Sequence, residues 1–275
     1  MFCSTVVLLK VGQPVPLRAQ LETVIKNNAD KVRTKTLFFI LFAFLNKNVK
    51  VINILCFMLA KKYHFIAIGG AVMHQLALHL HNMGHHITGS DDAIFDPALT
   101  NLDKHGILPK SFGWNPEKIH QDLDAVILGM HAQIDNPELL QAQKLGLKIY
   151  SFPEFIFEQS KDKKRVVIAG SHGKTTTTSM IMHVLNSAGR DFDYLVGAQI
   201  EGFDYVVKCS ESAPIIVIEG DEYLTSPLDL QSKFLHYSPQ LAIITGIAWD
   251  HINVFPTYPE YVETFRKFIQ SVEDK

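Results

Sequence analysis

The stretch Val166–Met180 reads VVIAGSHGKTTTTSM and decides the fold of its half of the chain. Its apolar beginning is typical of a buried strand, and a helix is predicted to follow the loop and to run to Ser187. Gly170 and Gly173 stand between them, where a tight turn needs residues without a side chain. The pattern therefore predicts a strand, a glycine turn and a helix start, which together suit a phosphate group.

The loop also carries the chemistry of a phosphate site. Backbone N–H groups at a helix start attract anions, a lysine adds a full charge, and a following hydroxyl can bind Mg²⁺. Gly173, Lys174 and Thr175 meet these three requirements. The usual pattern G-x-x-x-x-G-K-[ST] would place its first glycine at Ile168, so this loop is shortened. A plain strand-to-helix turn with its lysine in solvent explains the same letters, and the loop alone does not decide.

Two later strand ends carry groups that suit the same site. VIEGDEY (217–223) delivers three carboxylates, and ITGIAWDHINVF (244–255) delivers an Asp–His pair. Open parallel sheets bind ligands at the carboxyl ends of their strands, and carboxylate oxygens suit Mg²⁺. A solvated acidic turn and a structural His–Asp pair are the alternatives for each motif taken alone. Three such strand ends favour one common site.

From Tyr63 onward the chain alternates strands and helices. YHFIAIGG, AVMHQLALHLHNMG and HHITGSD are typical of a strand, a helix and a strand, a βαβ unit that implies a parallel sheet. The predicted class is α/β, with a Rossmann-like parallel-sheet domain over residues 58–160 and a partial phosphate-loop-type central domain over residues 161–275. The polar segment QSKDKKR (159–165) is interpreted as a linker or boundary. The second domain shows few strands and is expected to be incomplete.

Residues 1–57 differ in composition from the rest. They carry eight Lys or Arg and two acidic residues, whereas the whole chain has a net charge of −2. The apolar run TLFFILFAFL (36–45) is about half as long as a membrane-spanning helix, and lysines follow it. A poor signal anchor, an amphipathic surface element and upstream sequence read from an early start codon are the three interpretations. The change in composition at Met58 favours the third, and stable membrane association is not expected.

The other chemistry-bearing residues predict no further site. The cysteines at positions 3, 56 and 209 are scattered, which fits a reducing, cytoplasmic compartment. The cluster HLHNMGHH (79–86) spreads its histidines over different helix faces and past the Gly84 stop, so convergent metal binding is not expected. The aromatic run FPEFIF (152–157) lacks a basic flank, and no nucleic-acid partner is expected.

GSHGKTTTT, EGDEY and the Asp250–His251 pair resemble, in this order, the motifs of the Mur ligases, the ATP-dependent amide-forming enzymes of bacterial cell-wall synthesis. The resemblance covers the chain from Tyr63 to its end. HFIAIGGAVMHQLA is similar to the UDP-binding glycine turn of the family, with GSD (89–91) and DNPE (135–138) in the expected places. EGDEY followed by QSKFLHY is most similar to the branch that joins a peptide to UDP-N-acetylmuramate.

The resemblance implies a reaction and its participants. The carboxylate of UDP-N-acetylmuramate is joined, through an acyl phosphate, to the peptide L-Ala-γ-D-Glu-meso-diaminopimelate, with ATP and Mg²⁺ required. Attachment of L-alanine to the same nucleotide sugar is the alternative within the family. Family members have a third domain that binds the incoming amine, so the chain is expected to be a fragment that is inactive by itself.

The resemblance also implies roles for individual residues. Catalytic roles fall to Lys174, Glu219 and His251. Mg²⁺ ligands are expected to be Thr175, Glu219 and His251. Contacts with the UDP-sugar are expected from Gly69, Gly70, Ser90 and Asp91. Contacts with ATP are expected from Gly170, Ser171, His172, Gly173, Lys174, Thr175 and Thr176.

The chain departs from the family pattern in a few places. Ala67 and Val72 stand where family members usually have glycines, and Gly246 stands where they usually have asparagine. Some members place a carbamoylated lysine after the histidine, and Arg266 and Lys267 do not match it. No modified lysine is expected in this chain.

A nicotinamide-dependent oxidoreductase is the rival enzyme class. IAIGGAVM opens a βαβ unit, and Asp91 follows about 20 residues later, where a ribose-binding acid belongs. The incomplete G-x-G-x-x-G pattern counts against this class, as does the loop at Gly170 that it leaves unexplained. An inactive nucleotide-binding fragment or regulator is the alternative outside the enzymes.

Overall fold

The computed structural model describes residues 60–273. The predicted extension over residues 1–57 lies outside the described residues, and so do the last two residues of the chain. Within residues 60–273, each helix is too short or too polar to cross a membrane.

The first half of the described chain forms a parallel sheet. Its strands are β1 (Lys62–Ile66), β2 (His86–Ser90), β3 (Ala125–Leu128) and β4 (Ile149–Ser151). Its helices are α1 (Ala71–Asn82), α2 (Ala98–Lys104), α3 (Pro137–Lys144) and α4 (Phe152–Ser160). The strand order is β2–β1–β3–β4, and every pair is parallel. This confirms the predicted βαβ unit and α/β class.

Local sequence fixes where these elements begin. The Asn136 side chain accepts hydrogen bonds from the first backbone N–H groups of α3, and Pro137 occupies the first turn, where its missing N–H costs nothing. Ser151 and Glu154 form a reciprocal capping box at the start of α4. All four residues of β3 are buried, as expected for a central strand covered on both faces.

The second half forms a mixed sheet and a separate hairpin. The sheet contains β5 (Lys164–Ala169), β6 (Asp193–Leu195), β7 (Val207–Lys208) and β8 (Ile215–Glu219), and the hairpin consists of β9 (Leu224–Ser226) and β10 (Asp229–Ser232). The last strand is β11 (Leu241–Ile244), and the helices are α5 (Lys174–Ser187) and α6 (Tyr258–Gln270). The sheet order is β11–β5–β8–β6–β7, with only β7 antiparallel to its neighbour. Strands β6 and β7 and the hairpin were not predicted.

The segment interpreted as a polar linker is ordered and partly buried. Only three residues separate α4 from β5. The Arg165 side chain is 1% exposed, and its guanidinium donates to the backbone carbonyls of Ser160 at 2.9 Å and Tyr237 at 2.7 Å. Glu273 completes its surroundings with a carboxylate oxygen at 3.1 Å. A charged residue is tolerated here because its charge is paired and its donors are satisfied.

Helix α1 fastens the first half of the chain to the second. His79 Nε2 lies 2.9 Å from both the backbone N–H and the backbone carbonyl of Cys209, and the Asn82 amide donates to the Tyr205 hydroxyl at 2.5 Å. The His79 and Tyr205 rings meet edge to face, 6.0 Å apart. His79, the first histidine of the predicted non-metal cluster, is thus occupied by a structural contact.

This contact predicts a pH-dependent stability. Burial lowers the pKa of His79; the hydrogen bond to the Cys209 backbone and the Asp193 charge oppose this effect, and Lys208 adds to it. The neutral ring is therefore favoured in the folded chain, and its stabilising contribution is lost as the pH falls below the unfolded pKa of about 6.5. We expect His79→Phe to cost about 1 kcal/mol at neutral pH and to flatten the pH dependence of urea unfolding between about 7.5 and 5.5. The same substitution at the exposed His183 should change neither, and a His79→Phe profile parallel to wild type would contradict the assignment.

Candidate nucleotide and metal site

Strand order explains why three distant segments meet. Strand β5 lies between β11 and β8, and the three strands are parallel. Ala169 at the end of β5 pairs with Ile244, and its neighbour Ile168 pairs with Glu219. The segments that follow these strands therefore leave the same edge of the sheet, side by side.

The loop after β5 has the geometry of a helix-start anion site. Gly173 is the N-cap of α5 with φ +76°, and Lys174 begins the helix. Gly170 has φ +131°, and a Cβ atom there would lie 2.4 Å from Thr245 Oγ1. The positive φ angles therefore favour glycine at both positions, and close packing also requires glycine at Gly170.

The segment after β11 holds this loop in place. Ser171 Oγ donates to the Gly246 carbonyl at 3.2 Å and accepts from the Ala248 N–H at 2.7 Å. Thr245 Oγ1 donates to the His172 carbonyl at 2.5 Å. Ser171, predicted to contact ATP, is buried and turned toward this neighbouring segment, so its side chain positions the loop. His172 and Thr176 are exposed at the start of α5.

Thr175 and Glu219, two of the predicted Mg²⁺ ligands, are in contact. Thr175 Oγ1 donates to Glu219 Oε1 at 2.8 Å, and the Gly197 N–H donates to Glu219 Oε2 at 2.8 Å. A hydroxyl and a carboxylate side by side are hard oxygen ligands, which fit Mg²⁺ next to a helix start that attracts phosphate.

Glu222 joins Lys174 to His251. Its side chain is fully buried, and Lys174 Nζ lies 3.0 Å from Oε2 and 3.2 Å from Oε1. His251 Nε2 lies 3.0 Å from Oε1, and the Tyr261 hydroxyl donates to the same oxygen at 3.3 Å. Burial and then the Glu222 charge raise the pKa of Tyr261, which keeps this hydroxyl a donor. Sequence reasoning named Glu222 only as one of three carboxylates after β8 and gave it no role of its own, whereas the geometry gives it contacts with both Lys174 and His251.

A second group of possible metal ligands surrounds this carboxylate. Donor atoms of Glu222, Asp250 and His251 all lie within 4.8 Å of one another. Glu222 Oε2 is buried and accepts no hydrogen bond. Lys174 Nζ lies 3.0 Å from this oxygen as its ion-pair partner. His251 is held by its backbone N–H bond to Asp250 Oδ1 at 2.7 Å and by the edge of the Tyr223 ring. Two carboxylates and an imidazole with an unsatisfied buried oxygen fit a divalent cation.

Lys174, Glu219 and His251 line a cavity of about 400 Å³, to which both halves of the chain contribute. From the first half come the β1–α1 turn and the segment after β3. From the second half come the loop lysine, the carboxylates after β8 and the histidine after β11. The lining residues include Val72, Lys174, Glu219, Asp221, Lys233 and His251.

The predicted UDP-binding turn is closed by Asp91. The Gly69 N–H donates to Asp91 Oδ2 at 2.7 Å, and the Asp92 N–H donates to Asp91 Oδ1 at 2.9 Å. Burial raises the pKa of Asp91, although these backbone bonds act against the rise. The carboxylate thus holds the turn that is predicted to contact the UDP-sugar. Gly70 follows in the same turn and lines the cavity.

Ser90 does not lie where sequence reasoning placed it. Its side chain is fully buried and accepts a hydrogen bond from Lys118 Nζ at 2.8 Å. The side chain of a strand's last residue can point to either face, and here it points into the domain. A buried side chain whose hydroxyl already contacts Lys118 is not open to the direct ligand contact that was predicted for Ser90.

The departures from the family pattern have visible consequences. Ala67 adopts φ +65°, a conformation that favours glycine, so an alanine is accommodated there at some cost. Val72 is partly buried and lines the cavity. Arg266 is exposed and paired with Glu263 on the surface of α6.

Comparisons with known proteins agree with this geometry. The family description "Mur ligase family, catalytic domain" matches residues 62–164, and "Mur ligase middle domain" matches residues 168–275. The UDP-N-acetylmuramate–L-alanine ligase of Caldicellulosiruptor bescii is 37% identical over 77% of this chain and 44% of its own length. The UDP-N-acetylmuramate–L-alanyl-gamma-D-glutamyl-meso-2,6-diaminoheptandioate ligase of Haemophilus influenzae is 31% identical over 77% of this chain and 47% of its own. The chain thus spans less than half the length of these relatives.

A solved structure gives the same result. The UDP-N-acetylmuramate:L-alanyl-gamma-D-glutamyl-meso-diaminopimelate ligase from Neisseria meningitides has a TM-score of 0.69 and 29% identity, over 78% of this chain and 69% of that one. The two family descriptions follow one another in the order of the two sheets and together match about three quarters of the chain. The chain belongs to the Mur ligase family.

Proposed function

We propose that this chain binds UDP-N-acetylmuramate and Mg²⁺-ATP as the first two domains of a ligase that joins an amine to the sugar's lactoyl carboxylate. The observation that carries the proposal is the contact of Lys174 and His251 with one buried carboxylate, Glu222. The lysine proposed to bind phosphate and the histidine proposed to bind metal line the same cavity as Gly70 of the turn proposed to bind UDP.

The chemistry requires such a site. A carboxylate and an amine do not condense in water, so the carboxylate has to be activated by phosphoryl transfer before the amine can displace phosphate and form the C–N bond. Catalysis of phosphoryl transfer is mostly positioning and charge neutralisation. Lys174 and the N–H groups at the start of α5 would hold the β- and γ-phosphates. Thr175 and Glu219 would hold one Mg²⁺, which neutralises phosphate charge, and His251 with Glu222 and Asp250 would hold a second.

The incoming amine is proposed to be that of the peptide L-Ala-γ-D-Glu-meso-diaminopimelate. Two solved peptide ligases, from Neisseria meningitides and Psychrobacter arcticus, have TM-scores of 0.69 and 0.65, against 0.58 for the alanine ligase from Thermotoga maritima. The 37% identity with an alanine ligase favours L-alanine as the second candidate.

Direct binding measurements test the proposal on the 275-residue chain. Isothermal titration calorimetry is expected to show saturable binding of UDP-N-acetylmuramate and of ATP with Mg²⁺, and no binding of NADH. NADH binding without either of these ligands would overturn the proposal in favour of an oxidoreductase. ATP binding without UDP-N-acetylmuramate binding would favour a nucleotide-binding regulator.

A further inference from the structure

The cavity contains a second lysine to which sequence reasoning gave no role. Lys233 follows the β9–β10 hairpin and lines the cavity together with Lys174 and His251. Its Nζ donates to Asp221 Oδ2 at 2.6 Å. Asp221 lies between Glu219 and Glu222 in the acidic segment, so the ion pair ties the hairpin to the site.

The two lysines differ in how firmly their charges are held. The partner of Lys174 is Glu222, whose side chain is 0% exposed, whereas the partner of Lys233 is Asp221, whose side chain is 42% exposed. Separating a lysine from a buried carboxylate leaves an unpaired charge in the interior, which is costly. Separating a lysine from a hydrated carboxylate costs little. Lys233 is therefore the cavity lysine that an incoming anion can recruit more cheaply.

The position of Lys233 is fixed by its backbone. The Lys233 N–H donates to the Tyr223 carbonyl at 2.8 Å, and the next N–H, that of the fully buried Phe234, donates to the Asp221 carbonyl at 3.1 Å. Only the side chain has to turn in order to exchange Asp221 for another anion. Such a preorganised cation loses little freedom on binding.

Lys233 lies near the histidine of the predicted reaction centre, on the side of the β9–β10 hairpin. Its Nζ is 6.0 Å from the centre of the Tyr223 ring, and that ring contacts His251 with centroids 4.6 Å apart. Lys174 and the start of α5 already supply the groups that suit phosphates. A cation on the hairpin side of His251 fits the other anionic group of the reaction, a carboxylate.

We propose that Lys233 binds the lactoyl carboxylate of the nucleotide sugar, which replaces Asp221 as its partner. This inference rests on the proposed function and adds a specificity-determining residue to it. It predicts that the site distinguishes UDP-N-acetylmuramate from UDP-N-acetylglucosamine, which has the same uridine diphosphate and a closely similar sugar but lacks the carboxylate.

The test compares the affinities of these two sugar nucleotides by calorimetry on the full chain. Lys233→Gln is expected to weaken UDP-N-acetylmuramate binding about tenfold and to leave UDP-N-acetylglucosamine binding unchanged. Lys233→Arg should retain most of the preference, because the charge remains. Asp221→Asn should leave UDP-N-acetylmuramate binding unchanged or tighter, because it releases Lys233. Lys208→Gln, at an exposed ion pair with Asp191, is the matched control and should have no effect.

The outcomes separate binding from a structural role. The inference would be overturned if Lys233→Gln weakened the binding of both nucleotides equally. It would also be overturned if Asp221→Asn weakened UDP-N-acetylmuramate binding as much as Lys233→Gln does. Either result would mean that the ion pair only holds the hairpin. An unchanged preference in Lys233→Gln would overturn it as well, with the proposed function intact. A wild-type chain that binds neither sugar nucleotide would overturn the proposed function and this inference together.

Discussion

Lys174→Met is expected to weaken the binding of ATP with Mg²⁺ about 100-fold or more, measured by titration calorimetry on the full chain. The lysine is the only full positive charge in the loop that begins α5, and its Nζ is held over the loop by the Gly170 carbonyl at 2.6 Å and by Glu222. Methionine keeps the length of the side chain and removes the charge. The affinity for UDP-N-acetylmuramate should be unchanged, because the UDP-binding turn belongs to the first sheet.

The substitution also leaves Glu222 buried without its cation, so a loss of folding has to be distinguished from a loss of binding. Lys174→Met with Glu222→Gln removes both charges of the pair. We expect thermal unfolding of this double variant to return toward wild type while ATP binding stays lost. Lys208→Met controls for the removal of a lysine at an exposed pair. ATP binding of wild-type strength in the single variant would contradict the role of the loop.

The convergence of the site could be predicted because it depends on strand order and not on side-chain packing. Parallel strands bring their carboxyl ends to one edge, and the motifs after β5, β8 and β11 follow three adjacent strands. The role of Glu222 could not be predicted. Side chains alternate regularly between the two faces of a strand, but this regularity ends with β8, so the sequence does not show whether Asp221 or Glu222 points inward. That choice depends on Tyr261, a residue of α6 that donates to Glu222 from far along the chain.

The elements of the fold also divide into those that local sequence predicts and those that it does not. The strands with long apolar runs and the helices with clear caps follow from local sequence, as at the Asn136 cap and the Ser151 capping box. Strands β6 and β7 have only three and two residues, and the β9–β10 hairpin is largely polar. None of these strands therefore shows the alternation of apolar and polar residues that predicts a strand. The burial of Arg165 and Ser90 could not be predicted from the sequence either, because a polar side chain is buried only when distant groups supply its hydrogen-bond partners.

Gly170→Ala is expected to destabilise the chain by about 3 kcal/mol or more, measured by urea unfolding, for two reasons that add. The backbone φ of +131° is unfavourable for any residue with a side chain. In addition, the new Cβ would lie 2.4 Å from Thr245 Oγ1 and 2.9 Å from both the Thr245 nitrogen and the Gly246 carbonyl oxygen. The matched control is Gly189→Ala, where φ is +62° and no atom lies within 4 Å of the new Cβ, so that only about 1 kcal/mol of backbone strain is expected.

The difference between the two glycine variants measures how closely the phosphate loop approaches the segment after β11. Thr245→Ala in the Gly170→Ala background removes the nearest atom but leaves the two backbone contacts at 2.9 Å, so we expect a partial recovery of stability and not a full one. Thr245→Ala alone also loses the hydrogen bond to the His172 carbonyl. The change in unfolding free energy of this single variant therefore has to be subtracted from that of the double variant. Equal costs at Gly170 and Gly189 would mean that these segments are not in contact. The close approach of the loop after β5 to the segment after β11, on which the proposed site depends, would then be contradicted.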